Sequence, residues 1–171
     1  MNMVLIGYRG TGKTTVGKML AARLGRELIS TDAEIVKRAK RSIPEIVAQQ
    51  GWEYFRDVES AVCQDLAGRD QLVIDTGGGV VLRPQNVEVL KRNGKLIWLT
   101  ATIETITSRI GGDTQRPSLT GTKTFVEEIA EVLQDRMPKY KASADYVIQT
   151  DDRSIPQVVE TILAFMGRVG N

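Results

Sequence analysis

Nine residues near the start of the chain, GYRGTGKTT at positions 7–15, have the types and spacing of a phosphate-binding loop (P-loop). They match G-x-x-x-x-G-K-[ST], follow an apolar run and precede a helical pattern, which is the context that this motif requires. Backbone N–H groups of such a loop turn towards phosphate oxygens. Lys13 would reach the β- and γ-phosphates of a nucleoside triphosphate, and the Thr14 hydroxyl would ligate Mg²⁺. The residues predicted to bind the triphosphate are Gly10, Thr11, Gly12, Lys13, Thr14 and Thr15.

Asp32 is a candidate on the acceptor side of a phosphoryl transfer. It comes just after the apolar run ELIS, at a predicted junction between a strand and a helix. A carboxylate at this point could orient an acceptor hydroxyl and take its proton. The same position suits the N-cap of a helix, so both interpretations stay open.

Two arginines, Arg56 and Arg136, could together bind a small carboxylate. Arg56 lies in YFRDVE, and its aromatic neighbours Trp52, Tyr54 and Phe55 could form a pocket wall, although a solvated helix arginine is the simpler interpretation. Arg136 lies in DRMPKY and is predicted to end a long helix just before Pro138, where a cation also suits the helix C-terminus. Two guanidinium groups could bind a carboxylate in a bidentate manner that lysine cannot copy.

The composition excludes several classes of protein. The chain has 171 residues, 42% of them hydrophobic, and a formal net charge of +2, so we expect one domain and no nucleic-acid partner. Histidine is absent, which excludes Ser-His-Asp, Cys-His and the common zinc catalytic sites. The single cysteine, Cys63, is expected in the core and favours a cytoplasmic location. No apolar run approaches the roughly 18 residues of a membrane span, so we expect no membrane partner.

Short apolar runs alternate with helical patterns along the chain. This alternation predicts a three-layer α/β fold, with a five-stranded parallel sheet flanked by helices and ligands at the carboxyl ends of the strands. The predicted strands are NMVLIG, ELIS, QLVID, KLIWL and DYVIQ. The predicted helices cover residues 13–24, 32–40, 52–66, 84–92, 103–110 and 155–166. Ser42 and Glu45 have the spacing of a capping box at SIPEI.

The polar segment at residues 111–124, GGDTQRPSLTGTKT, does not follow this alternation. A loop of this length in a compact domain is usually functional or disordered. Because it contains Arg116 and lies between two helical patterns, we predict a mobile lid. A short chain with a triphosphate site, a lid and several arginines indicates phosphoryl transfer to a small molecule.

Taken together, these motifs resemble the shikimate kinase family. The segments GYRGTGKTTVGKMLA, FRDVE, TGGGVV, RPSLTG and RMPKY occur in order, with Asp32 between the first two, and the resemblance covers essentially the whole chain. It implies a nucleoside-monophosphate-kinase-like P-loop fold. It also implies ATP-dependent phosphorylation of the 3-hydroxyl of shikimate, giving shikimate 3-phosphate and ADP, in aromatic amino acid biosynthesis. The implied partners are ATP and shikimate, with Mg²⁺ as cofactor, and the family resemblance implies a monomer.

The resemblance also implies roles for individual residues. The implied catalytic residues are Lys13, Asp32 and Arg116. Shikimate would bind in a helical region at about residues 32–66 and on a glycine floor, through Asp32, Phe55, Arg56, Gly77, Gly78, Gly79 and Arg136. The arginines that would bind ATP are Arg109, Arg116 and Arg153, of which the first and last fall where the family packs arginines around the adenine.

The chain departs from this family at Ser30-Thr31-Asp32, where the family commonly has Asp-x-Asp and the first aspartate supports Mg²⁺. Asp75 stands at the end of the third predicted strand, where many P-loop proteins have a Walker B aspartate. We hypothesise that Asp75 replaces the missing carboxylate and positions a Mg²⁺-bound water near Thr14. The alternative is a strand-end residue that bonds the local backbone or Lys13.

The sequence leaves two other functions open. A gluconate kinase or a nucleoside monophosphate kinase would share the P-loop and the lid, but it has no reason to carry Arg56, the three glycines and Arg136 together. A non-catalytic nucleotide-binding regulator would explain why position 30 is serine. The intact Lys13 and Asp32 argue against such a regulator.

Overall fold

Strands and helices alternate in the computed structural model, which describes residues 1–111 and 124–169. The strands are β1 (Asn2–Ile6), β2 (Glu27–Ser30), β3 (Leu72–Asp75), β4 (Gly94–Thr100) and β5 (Tyr146–Gln149). The helices are α1 (Lys13–Leu24), α2 (Thr31–Ala39), α3 (Ile43–Ala67), α4 (Pro84–Arg92), α5 (Ile103–Ile110), α6 (Phe125–Ser143) and α7 (Ile155–Val169). A 3₁₀ turn at Val80–Leu82 follows β3.

The five strands form one parallel sheet in the order β2-β3-β1-β4-β5, which confirms the predicted fold class. The strand β1 lies in the middle of the sheet, with β3 on one side and β4 on the other. Asp75 of β3 is in register with Leu5 of β1 and with Ser30 of β2. The loops that follow β1, β2 and β3 therefore leave the sheet side by side, at the edge where ligands bind in such folds.

Both faces of the sheet are buried against helices, as the apolar strands predict. Met3 and Leu5 of β1 belong to the cluster that includes α1 and α7, whereas Val4 and Ile6 belong to the cluster under α2 to α6. Cys63 is fully buried in the second of these clusters, and burial raises the pKa of its thiol to about 12. Within residues 1–111 and 124–169, no helix is long and apolar enough to cross a membrane.

Helix α3 differs from the prediction. The sequence indicates a capping box at Ser42 and a separate helix from Trp52, and the capping box is confirmed. The structure joins the two segments into one element, Ile43–Ala67, with a break at Gly51, where φ is 82° and ψ is 172°. The element therefore changes direction one residue before Trp52, and its second half carries Phe55 and Arg56.

The prediction that α6 ends at Arg136 is wrong, because the helix continues through Pro138 to Ser143. Proline removes one backbone hydrogen bond from a helix interior, so a compensating contact is expected beyond it. Tyr140 provides one: it is fully buried, stacks on Trp98 with 5.6 Å between ring centroids, and donates from Oη to the carbonyl oxygen of Gly78 at 2.5 Å. Arg136 therefore lies inside a helix that continues past it and is anchored by Tyr140.

Tyr140→Phe is expected to lower the free energy of unfolding by about 1–3 kcal/mol, because it leaves the buried Gly78 carbonyl without this donor. Urea denaturation followed by circular dichroism measures the change. The matched control is Tyr54→Phe, since the half-buried Tyr54 hydroxyl makes no hydrogen bond to any other described residue. Equal stability of the Tyr140 variant and the wild type would contradict the anchoring role.

Candidate active site

The P-loop connects β1 to α1 and is held by its own backbone. Gly12, the N-cap of α1, has a φ of 95°, which favours glycine. Thr11 Oγ1 donates to the carbonyl oxygen of Tyr8 at 2.8 Å. Lys13 Nζ donates to the carbonyl oxygens of Gly7 and Tyr8 at 2.9 Å and 3.1 Å. The ammonium group of Lys13 is therefore held against the backbone at the start of the loop.

A cavity opens in front of this loop, and we call it the P-loop cavity. It is lined by Arg9, Gly10, Gly12, Lys13, Thr14, Thr15, Ser30, Asp32, Asp75 and Thr76. Five of the six residues predicted to bind the triphosphate line it, while the sixth, Thr11, is buried within the loop. Glycine backbone, an ammonium group and hydroxyls are the donors that phosphate oxygens require.

Asp75 reaches the predicted Mg²⁺ ligand directly. Thr14 Oγ1 donates to Asp75 Oδ2 at 2.6 Å, and both residues line the P-loop cavity. Ser30 is the register partner of Asp75 on β2. Its Oγ accepts a hydrogen bond from the backbone N–H of Ala33 at 3.3 Å, so Ser30 caps α2. A carboxylate on β3 thus lies beside the β2 position where the resemblance led us to expect one.

Asp32 lies in the first turn of α2 and lines the P-loop cavity. The interpretation of Asp32 as the N-cap is wrong, since Ser30 caps this helix. A Cβ atom placed on Gly77 would lie 2.9 Å from Asp32 Oδ1 and 3.0 Å from Glu59 Oε1. The Asp32 carboxylate therefore lies against the glycine segment that forms the wall of a second cavity.

We call this second cavity the arginine cavity. It is lined by Tyr8, Arg9, Trp52, Arg56, Glu59, Gly77, Gly78, Gly79, Glu128 and Arg136. Arg56 and Arg136, which come from different helices, are only 9% and 7% exposed. The interpretation of Arg56 as a solvated helix arginine is therefore wrong, and the two guanidinium groups share one enclosed space.

The Arg56 guanidinium is held from several sides. Its Nη1 lies 2.8 Å from Glu59 Oε2, and its Cζ lies 5.3 Å and 5.1 Å from the ring centroids of Trp52 and Phe55. Burial raises the pKa of the Glu59 carboxyl, and the charge of Arg56 opposes this rise. Trp52 lines the cavity, whereas Phe55 is 1% exposed and belongs to the core. The predicted substrate residue Phe55 thus contacts Arg56 from the core side.

The three glycines leave room for charged side chains. A Cβ atom on Gly78 would lie 3.2 Å from Arg136 Nη1, and one on Gly79 would lie 2.3 Å from both terminal nitrogens of Arg56. The backbone N–H of Gly77 donates to Thr31 Oγ1 at 2.9 Å. The arginines and carboxylates that pack on this segment therefore leave little space for a side chain at Gly77, Gly78 or Gly79.

The arginines predicted for ATP fall at separate places. Arg109 Nη1 donates to the carbonyl oxygen of Gly10 at 3.0 Å and to Thr150 Oγ1 at 3.2 Å, so it joins the P-loop to the end of β5. Arg153 lies beside α7 and donates from Nη1 to Thr161 Oγ1 at 3.3 Å. Arg116 and residues 112–123 of the predicted lid lie outside the described residues.

The family model for shikimate kinase matches residues 9–167. This range includes every residue that lines the two cavities except Tyr8, and it includes the P-loop from Arg9 onwards. The chain belongs to the shikimate kinase family. Members of this family are phosphotransferases that act on a hydroxyl group, and ATP is the nucleotide that the family uses.

Individual shikimate kinases are similar over nearly the whole chain. The shikimate kinase of Syntrophus aciditrophicus (strain SB) is 46% identical over 95% of this chain and 89% of its own length. That of Pelotomaculum thermopropionicum is 45% identical over 96% of this chain and 95% of its own length. The structure of shikimate kinase from Acinetobacter baumannii in complex with shikimate superposes with a TM-score of 0.91, at 34% identity, over 96% of this chain and 92% of that one.

Four residues line the arginine cavity of this shikimate kinase family member without having been predicted from the sequence: Tyr8, Arg9, Glu59 and Glu128. Glu59 could have been found, because it follows Arg56 by three residues and therefore shares its helix face. Arg9 is an unspecified position of the P-loop pattern, and Glu128 is one of several acidic residues in α6. Only the packing of α6 against the P-loop brings these two to the cavity.

Proposed function

We propose that this chain transfers the γ-phosphoryl group of ATP to the 3-hydroxyl of shikimate, giving shikimate 3-phosphate and ADP. The observation that carries the proposal is the pair of neighbouring cavities, one with Lys13 and Thr14 and the other with Arg56 and Arg136. A small carboxylate that carries hydroxyls suits the second cavity, because two guanidinium groups can bind its carboxylate through charge-assisted hydrogen bonds. Membership of the family supports the same assignment.

We assign to Asp32 the role of accepting the proton of the acceptor hydroxyl. During transfer, the bond between the γ-phosphorus and the oxygen that stays with ADP breaks, and a bond from the acceptor oxygen to phosphorus forms. The hydroxyl proton passes to the Asp32 carboxylate, which acts as general base or proton acceptor. Lys13 stabilises the negative charge on the phosphate oxygens, and Arg56 and Arg136 keep the acceptor in position.

Several parts of the proposal come from the sequence. We propose that residues 111–124 close as a lid and exclude water when both substrates are bound. Arg116 would then bring a further positive charge to the transferred group. Arg109 and Arg153 are assigned to the adenine side. A single domain of 171 residues, the monomeric state and the cytoplasmic location stay predictions.

Mg²⁺ fits the oxygen donors at the end of β3. Residues 1–111 and 124–169 contain no group of three or more His, Cys, Asp or Glu side chains that could hold a metal by themselves, which suits an ion that keeps waters and binds substrate phosphates. Thr14 would ligate the ion directly. Asp75, which already accepts a hydrogen bond from Thr14, would hold one of the waters of the ion. When bound, the ion neutralises charge on the β- and γ-phosphates.

Asp75→Asn is expected to raise the Mg²⁺ concentration for half-maximal activity by about tenfold, because residues that orient metal ligands typically affect metal affinity by this factor. Calorimetric titration of Mg²⁺ into the protein with ADP measures the same loss without turnover. The matched control, Asp65→Asn, removes an exposed carboxylate that pairs with Arg38. An unchanged Mg²⁺ requirement together with unchanged turnover would sink the hypothesis.

The proposed activity is tested by a coupled assay for ADP release. The protein is incubated with ATP and Mg²⁺, either alone or with shikimate, gluconate or a nucleoside monophosphate. We expect ADP release to rise strongly with shikimate only, because only this acceptor combines a carboxylate for Arg56 and Arg136 with a ring hydroxyl near Asp32. Faster release with gluconate or a nucleoside monophosphate would overturn the proposal, and no release with any acceptor would favour a regulator.

A further inference from the structure

Arg9 is the one residue, within the part of the chain that the structure describes, that lines both the P-loop cavity and the arginine cavity. Its neighbours in the P-loop divide between the two spaces, since Tyr8 lines the arginine cavity and Gly10 lines the P-loop cavity. A phosphoryl group that passes from a nucleotide in one cavity to an acceptor in the other must cross the boundary that Arg9 occupies. Neither the P-loop pattern nor the pair Arg56 and Arg136 accounts for an arginine at this boundary.

The Arg9 side chain extends from the P-loop to the first turns of α6. Its Cζ lies 6.0 Å from the ring centroid of Phe125, the first residue of that helix, at the distance of a cation–π contact. Glu128, further along the same helix, is 8% exposed and lines the arginine cavity together with Arg9. The guanidinium is thus oriented by the packing of α6, while the side chain keeps part of its surface open to the cavities.

We propose that Arg9 binds the transferred phosphoryl group, first as the γ-phosphate and then as the phosphate of the product, an inference that rests on the proposed function. A guanidinium group presents a fork of N–H donors that matches two phosphate oxygens, and it stays protonated throughout. The bonds that break and form are those of the transfer itself, and Arg9 exchanges no proton. Because it lines both cavities, it can keep contact with the group on both sides of the transfer.

This role differs from that of Arg56 and Arg136, which we assign to the acceptor carboxylate. Arg56 packs on Gly79 and Arg136 on Gly78, whereas Arg9 belongs to the loop that carries Lys13. Arg9 should therefore contribute to the binding of a phosphorylated acceptor and contribute little to the binding of the same acceptor without its phosphate. The ratio of the two dissociation constants is the quantity that reports this role.

The experiment measures the dissociation constants of shikimate and shikimate 3-phosphate by calorimetry, together with kcat, for the wild type, Arg9→Met and Arg9→Gln. We expect shikimate 3-phosphate to bind about tenfold more weakly to both variants, as for the loss of one charge-assisted hydrogen bond, while shikimate changes by less than about twofold. We expect kcat to fall by about tenfold or more, and Arg9→Lys to restore part of it. The control is Arg23→Met, an exposed arginine of α1 paired with Glu160.

Equal weakening of both ligands, or no weakening of either, would overturn the role of Arg9, since a purely structural arginine cannot select the phosphorylated ligand. Thermal unfolding identifies any variant that does not fold. If Arg9→Met does not fold, the ratio of dissociation constants is taken from Arg9→Gln. Failure of the underlying function is separate: a wild-type protein that does not phosphorylate shikimate overturns the proposed activity. An active wild type with an unchanged ratio in the variants overturns the role of Arg9 alone.

Discussion

Asp32→Asn is expected to lower kcat with shikimate by about 10²- to 10⁴-fold, the contribution of a positioned general base. The amide cannot take the proton of the acceptor hydroxyl, although it has the size of the carboxylate and can still donate or accept hydrogen bonds. Shikimate binding should therefore be partly kept. Steady-state kinetics with saturating ATP separate the two effects, and calorimetry without nucleotide gives the shikimate affinity.

The control for this variant is Glu34→Gln, which removes a carboxylate from the same first turn of α2. Glu34 is 27% exposed at its side chain and lies 3.9 Å from Lys37, an ion pair that contributes little. Activity of this control should equal that of the wild type. Near-normal turnover of Asp32→Asn would reject a catalytic role for Asp32, and a loss confined to shikimate affinity would make it a binding residue.

Gly79→Ala is expected to lower kcat/KM for shikimate by about 10²-fold or more, because it displaces Arg56 from its position. The added methyl group would lie 2.3 Å from both terminal nitrogens of Arg56 and 2.4 Å from its Cζ. The guanidinium cannot move away cheaply, since Glu59 and the rings of Trp52 and Phe55 hold its other sides. Loss of a buried charged contact at a binding site typically costs about 2–5 kcal/mol.

The backbone itself would accept alanine, since Gly79 has a φ of −95°, so the effect should come from the collision with Arg56 alone. Gly167→Ala is the matched control, because among residues 1–111 and 124–169 no atom apart from its chain neighbours and its own helix backbone lies within 4 Å of a methyl group added there. Steady-state kinetics and urea denaturation of both variants separate loss of binding from loss of folding. A Gly79 variant with normal kcat/KM would show that Arg56 does not bind the acceptor in its present position.

Much of the fold could be predicted because its signals are local. The P-loop fixes the junction of β1 and α1, and the predicted bounds of α1, α4 and α5 agree with the structure. Pro138 misled the prediction for α6, because a proline is a local signal to stop, whereas the buried Tyr140 that continues the helix is a tertiary contact. Gly51 was missed for a similar reason, since the sequence does not show whether two helical patterns join.

The site residues that belong to recognisable sequence motifs could be predicted. The sequence pattern pointed to Arg56, Asp75 and Arg136, and the structure brings Arg56 and Arg136 into one cavity and Asp75 to Thr14. Position alone could not decide between a carboxylate that caps a helix and one that faces a ligand. The structure excludes the cap, because Ser30 occupies it, and the ligand-facing role of Asp32 stays a proposal.

The remainder depends on contacts between segments that are distant in the chain. Arg9 and Glu128 reach the arginine cavity because α6 packs beside the P-loop, a relation that no local pattern encodes. The sequence contains three consecutive glycines but does not show which side chains lie against them. Arg56 and Arg136 lie within 2.3 to 3.2 Å of the places where Cβ atoms of Gly79 and Gly78 would be, and these arginines come from helices distant in the chain.

The close fit of the glycine segment has a consequence for resistance to inhibitors. A compound that lies on Gly77, Gly78 and Gly79 would contact backbone that carries no side chain to vary. Any larger residue at these positions would meet a carboxylate or a guanidinium group within 2.3 to 3.2 Å. A substitution that weakens such a compound would therefore also disturb the charged groups that we propose for acceptor binding, so resistance and loss of the proposed activity would occur together.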